Sequence, residues 1–125
     1  MRRALQYWAP LAAWMLVIFV ASAQPRVPHQ DDVPDWLSHG TAYLVLAVLA
    51  ARAFGAGTAP DLRLAACAFA FCVAYGVSDE WHQSFVPGRH SDPWDVAKDG
   101  VGATVGVALL RAWSQRNATD EARAS

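Results

Sequence analysis

The sequence is short of charge, and the charge it has is kept out of long stretches of the chain. Only 17% of its 125 residues are Asp, Glu, Lys or Arg, against 54% hydrophobic, with a net charge of −1. No basic stripe is present, so a nucleic-acid partner is not expected. Cysteine is equally scarce. Cys67 and Cys72 lie in one apolar run, where helical spacing turns them to different sides, so a disulfide or a metal pair is not expected and they read as small lipid-facing or packing residues. The sequence has no metal-ligand spacing of the H-E-x-x-H kind, no nucleophile motif around Ser78, Ser84 or Ser91, no internal repeat and no low-complexity run. No metal is assigned on these grounds and no cofactor is named.

What is present is apolar length. Residues 7–23, 37–54, 62–78 and 94–113 are dominated by Ala, Leu, Val and Phe, each about 17–20 residues, the length that crosses a hydrocarbon core as a helix. No strand alternation interrupts them. A soluble bundle of Ala-rich helices is the competing reading, but 11–21 and 64–75 carry no charge and no polar face. The expected fold is all-α, a polytopic membrane bundle of four transmembrane helices forming one domain over 1–125, with 114–125 as a flexible polar tail. The first segment also resembles a secretory signal peptide, with Arg2, Arg3 and the small-x-small Ala21-Ser22-Ala23. Three further spans follow it, and it reads as a first helix that mainly acts as scaffold.

Basic residues orient the bundle. Threading four helices places Arg2, Arg3, Arg52, Arg63, Arg111, Arg116 and Arg123 on one side, seven of the ten Lys and Arg. The positive-inside tendency makes that side, and both termini, cytoplasmic. The loops 24–36 and 79–93 then face outward. With them go all four histidines, His29, His39, His82 and His90, and eight of the eleven acids: Asp31, Asp32, Asp35, Asp79, Glu80, Asp92, Asp95 and Asp99.

Helical spacing gathers these groups. Asp35, His39 and Tyr43 share one face of the second helix. Tyr75, Asp79 and His82 share a face of the third if it continues past Ser78. Asp95, Asp99, Gly102 and Gly106 share a face of the fourth, and the two glycines have the small-xxx-small spacing of close helix contacts. Lys98 with Asp95 reads as an ion pair inside an apolar segment, where an isolated charge is expensive. Between helices, Pro87-Gly88 signals a turn that aims Arg89, and Asp92-Pro93 suits an N-cap followed by a first helical position. Arginine is the residue suited to bidentate grip on phosphate or carboxylate.

The string Glu80, Gln83, Pro87-Gly88-Arg89, Asp92, Asp95, Asp99 and Gly102, with Asp35, His39 and Tyr43 upstream, resembles the VanZ-like membrane proteins over about 35–105. Two departures stand out: Trp36 where the family has lysine, and Asp99 where it has asparagine. Together they make the site less suited to an anion, or require Asp99 to be protonated or paired, with Lys98 as the candidate partner, and they raise the prospect of a cationic or metal-bridged ligand. The resemblance implies a bacterial inner-membrane protein, with the motif face extracytoplasmic, connected with the cell envelope and with resistance to the glycopeptide antibiotic teicoplanin; it supplies no reaction.

The expected function is an outward cavity, framed by the second, third and fourth helices, for the head group of a membrane lipid or polyprenyl-phosphate-type precursor. Arg89 would clamp phosphate, with Gln83, His39, Asp79, Asp99 and Tyr43 as further binding groups. If there is turnover, Glu80 and His82 are the candidate acid/base pair and Asp95 the group that orients His39 or His82. The alternatives are binding without catalysis, an N/O metal site from His39, His82, Glu80 and Asp95, a proton relay, or a polar network that only locks the helices. Whether the chain is an enzyme, and its oligomeric state, stay open at this level.

Overall fold

The structure, a computed structural model, describes residues 2–25 and 34–124. Four helices follow one another: α1 (Arg2–Ser22), α2 (Asp35–Phe54), α3 (Leu62–Gln83) and α4 (Pro93–Ala124), with no strand among the described residues. Of the outward loops expected from the sequence, the part holding Arg26, His29, Asp31 and Asp32 lies outside the described residues.

α1, α2 and α3 are each long and apolar enough to cross a membrane. α4 falls short by composition among its first turns, which carry Asp95, Lys98 and Asp99, although its packing makes it the closest companion of α2. The protein is a helical, multi-pass membrane bundle. Exposed Leu16, Phe19, Val20, Phe69, Val77, Val101 and Leu109 form its outer surface, as expected where lipid rather than water is the solvent. Trp8, Trp36, Trp81, Trp94 and Trp113 are all more than half exposed or close to it near helix ends, in keeping with an interfacial belt.

The core is built from small side chains. Ala47, Ala50, Ala51, Ala68, Cys72 and Ala103 are fully buried around Leu46 and Tyr43, so the helix axes approach closely. α4 goes furthest: a Cβ on Gly102 would land on the Gly40 carbonyl, and one on Gly106 on that of Leu44. These two glycines let α4 lie directly on the α2 backbone, as the small-xxx-small spacing led one to expect.

Three boundaries differ from the sequence expectation. α1 begins at Arg2 rather than near residue 7, and α3 runs on to Gln83 rather than stopping at 78. α4 does not end at 113. It continues as helix through the segment read as a flexible tail, because that segment is rich in helix formers and Thr119 closes its hydroxyl on the Gln115 carbonyl at 2.9 Å.

Candidate functional site

The C-terminal ends of α1 and α3 and the N-terminal ends of α2 and α4 meet at one end of the bundle, and almost all buried polar side chains are there. Two connected groups can be distinguished.

The first group ties α3 to α1. Extending α3 past Ser78 puts Asp79, Glu80 and Gln83 inside the bundle, 7%, 5% and 3% exposed. The Asp79 carboxylate accepts from the Ser22 hydroxyl at 2.6 Å and from the Gln83 amide at 2.8 Å. The Gln83 carbonyl oxygen in turn accepts from Arg89 Nη1 at 2.9 Å. Arg89 also donates through Nε to the Gln24 carbonyl at 3.0 Å and through Nη2 to that of Ala21 at 3.3 Å. A helix ends with unsatisfied carbonyls and a negative dipole end, so Arg89 caps α1 while hydrogen-bonded to α3. It is aimed there by a type II turn: Arg89 N donates to the Val86 carbonyl at 3.1 Å around Pro87 and Gly88, whose φ is 78°.

Glu80 points elsewhere. Its carboxylate accepts the backbone N–H of Asp92 at 2.8 Å, and the Asp92 side chain accepts that of Trp94 at 2.9 Å. Asp92 and Pro93 thus open α4 as expected, with Glu80 holding the loop in place.

The second group lies between α2 and α4. His39 Nδ1 is 2.9 Å from Oδ1 of Asp99, which is only 2% exposed, while His39 Nε2 stands 3.8 Å from both Asp35 Oδ1 and Asp95 Oδ2. Lys98 Nζ bridges the other oxygens of the same two carboxylates, at 2.5 Å to Asp35 and 2.6 Å to Asp95. The Lys98–Asp95 pair was expected. Asp99, however, takes His39 as its partner instead of Lys98, because α4 is rotated to seat Gly102 on α2 and the lysine emerges beside Asp35. Asp35, His39 and Asp95 offer ligand atoms that all lie within 4.8 Å of one another, so a metal, if held, would be held here.

Between the groups opens a cavity of about 510 Å³. Trp14, Val17, Ile18 and Ala42 make its apolar part, and Ser22, Asp35, Ser38, His39, Asp79, Gln83 and Arg89 its polar part. Tyr43 lines it too; its ring is 1% exposed and its hydroxyl finds no hydrogen-bond partner among the described residues. The cavity is walled by α1, α2 and α3. This corrects the expectation that it would be framed by α2, α3 and α4 with α1 as scaffold: Ser22 bonds Asp79, Trp14 Nε1 donates to the Ala42 carbonyl at 2.9 Å, and Tyr75 OH donates to that of Met15 at 2.6 Å. α4 contributes from behind, through Asp99, which is bonded to His39 of α2.

The acid/base candidates do not share one point. Glu80 is engaged with the Asp92 amide, Asp95 with Lys98, and His82 stacks on Phe19 with ring centroids 4.3 Å apart. His82 Nδ1 is buried without a partner among the described residues, and neither it nor Glu80 lines the cavity. The binding candidates Arg89, Gln83, His39, Asp79 and Tyr43 do line it, and Asp99 reaches it only through His39. Sequence reasoning missed Ser22, Trp14 and the α1 carbonyls. Only Ser22 left a trace, a hydroxyl closing an apolar run, and it was absorbed into the signal-peptide reading.

No curated protein and no solved structure matches the chain. The family described as VanZ/LLP1 matches residues 7–114, from within the first helix to well into the fourth. The match includes α1, whose last turn holds Arg89 and Asp79, as well as the motif-bearing helices. The chain is a multi-pass membrane protein belonging to the VanZ/LLP1 family.

Proposed function

We propose that the cavity holds the polar head group of an envelope lipid or lipid-linked precursor at the extracytoplasmic face of the bacterial inner membrane, and that it binds without turning the ligand over. The observation that carries this reading is the division of the cavity into an apolar part and a polar part, with the Tyr43 hydroxyl buried at its wall and unsatisfied among the described residues. A buried polar atom without a partner costs about 1–3 kcal/mol, a cost that an incoming acceptor would remove. The volume is within the usual range for small-ligand pockets, and a mainly apolar lining with a few convergent polar groups is their usual construction.

Arg89 supports the same reading. Three of its donors are committed to Gln24, Ala21 and Gln83, and of its five N–H groups two are left. The guanidinium is therefore held still with donors to spare, a good phosphate group at low ordering cost. Binding is favoured over catalysis because the candidate groups Glu80, His82 and Asp95 are separately engaged and the cavity hydroxyls of Ser22 and Ser38 are already committed, to the Asp79 carboxylate and the Asp35 carbonyl.

A second reading has a specific observation behind it: the relay Ser22–Asp79–Gln83–Arg89 satisfies itself, as a purely structural lock would. Native mass spectrometry in a panel of envelope lipids and polyprenyl phosphates separates the two. Selective retention of one phosphorylated lipid, weakened in Tyr43→Phe while the fold is kept, supports the head-group site. A folded wild type that retains none selectively favours the lock.

A further inference from the structure

Asp79 and Arg89 stand close together without neutralising each other. Asp79 is a buried carboxylate whose donors are both neutral, the Ser22 hydroxyl and the Gln83 amide. Among the described residues no cation pairs with it. Arg89 likewise gives its bonds to neutral oxygens, those of Gln24, Ala21 and Gln83.

Gln83 is the spacer between them. A carboxylate only accepts and a guanidinium only donates, so the amide must turn Nε2 to Asp79 and Oε1 to Arg89. Two bonds of 2.8 and 2.9 Å with one amide between them hold the charged groups no more than about 8 Å apart along that path. Asp79, Gln83 and Arg89 all border the cavity. Its polar part therefore presents a negative and a positive pole one amide apart, each without a counter-charge among the described residues. Burying a carboxylate is costly unless it is paired.

The poles set the chemistry of a complementary head group. A lipid phosphate with no cation serves Arg89 but brings like charge towards Asp79, which opposes it. A phosphate joined by a short chain to an ammonium meets both poles with the opposite sign. Asp79 has lone pairs beyond the two in use, and a primary ammonium has three N–H donors to offer them, whereas a quaternary ammonium has none. Trp14, Val17 and Ile18 continue the cavity as an apolar wall, which suits an acyl chain on the same molecule.

We infer that the head group taken by the cavity is a phosphate ester bearing a primary ammonium, that of an aminophospholipid of the phosphatidylethanolamine type, with its phosphate on Arg89 and the Tyr43 hydroxyl and its ammonium on Asp79. The inference rests on the head-group reading above and narrows it.

The test offers purified full-length protein in detergent an equimolar mixture of phosphatidylethanolamine, phosphatidylcholine and phosphatidylglycerol with identical acyl chains, together with a polyprenyl phosphate, and reads bound lipid by native mass spectrometry. Phosphatidylethanolamine should be retained over each of the others by about tenfold or more, the effect of a hydrogen bond to a charged group. Asp79→Asn, with circular dichroism confirming that the variant is helical, should erase the preference for phosphatidylethanolamine over phosphatidylglycerol while still retaining lipid phosphate. If that variant does not fold, wild-type protein decides alone: each N-methyl group added to the phosphatidylethanolamine should lower its retention. Glycerophosphoethanolamine, which lacks the acyl chains, should compete poorly, and competition equal to that of the lipid would overturn the lipid assignment. Retention of phosphatidylglycerol or polyprenyl phosphate above phosphatidylethanolamine, or an unchanged preference in folded Asp79→Asn, would overturn the inference and leave the head-group cavity standing. Selective retention of no lipid at all would remove both.

Discussion

His39 on α2 and Asp99 on α4 are joined by a 2.9 Å hydrogen bond across 60 residues of sequence, with the aspartate all but sealed from the surface. The bond couples the two helices that pack most closely, and it sits directly behind the cavity wall.

Replacing Asp99 by leucine strands the imidazole proton in a buried place. The cost expected is about 1–3 kcal/mol, read as a lower melting temperature in detergent. Asp99→Asn restores the residue typical of the VanZ-like pattern and keeps an acceptor for His39 while removing a charge, so it should melt at or above the wild-type temperature.

The glycines of α4 give a paired prediction. Gly102→Ala places a methyl group on the Gly40 backbone, which cannot move aside as a side chain would, and overpacking of this kind costs about 1–3 kcal/mol. Gly40→Ala meets nothing within 4 Å and gains helix propensity, by about 1 kcal/mol at most. Thermal unfolding should therefore fall for the first and hold or rise for the second, although the two positions touch.

Much of this could be read in advance, and the limits are physical. The spans, the Pro87-Gly88 turn, the Asp92 cap and the glycine face of α4 all follow from neighbours within about one or two helical turns, so spacing alone reveals them. Pairings between helices depend on how each helix is rotated about its axis. Spacing put Asp35, His39 and Asp99 on inward faces. It did not choose His39 over Lys98 for Asp99, or place Asp35 beside Lys98. Arg89 is the clearest case: its carbonyl partners at the end of α1 and just beyond it lie 68 and 65 residues away, and main-chain acceptors leave no mark in a sequence. α1 looked like scaffold for the same reason, since its duties rest on one serine, one tryptophan and backbone oxygens.

Ser22 offers a check on α1. Ser22→Ala removes one of the two donors to the buried Asp79 carboxylate. Hydrogen bonds to charged groups contribute about 1.5–3 kcal/mol, so the melting temperature should drop. Ser84→Ala, whose exposed hydroxyl only closes on the Trp81 carbonyl, should leave it within error.

The proposed orientation can be read with thiol labelling in a Cys67→Ala, Cys72→Ala background. Ser91 lies in the loop before α4 and Thr58 in the turn between α2 and α3, both exposed and at opposite ends of the bundle. Ser91→Cys should react with an impermeant reagent in intact spheroplasts, and Thr58→Cys only after lysis. The reverse pattern would put the motif face in the cytoplasm.

The most direct test of the head-group cavity is a density map of the purified protein in nanodiscs made from native envelope lipids. The expected result is an elongated feature between α1, α2 and α3, its broad polar end within hydrogen-bonding distance of Tyr43 Oη and Arg89 and its tail along Val17 and Ile18. A well-resolved cavity holding nothing but solvent, or closed by α1 moving against α3, would contradict it.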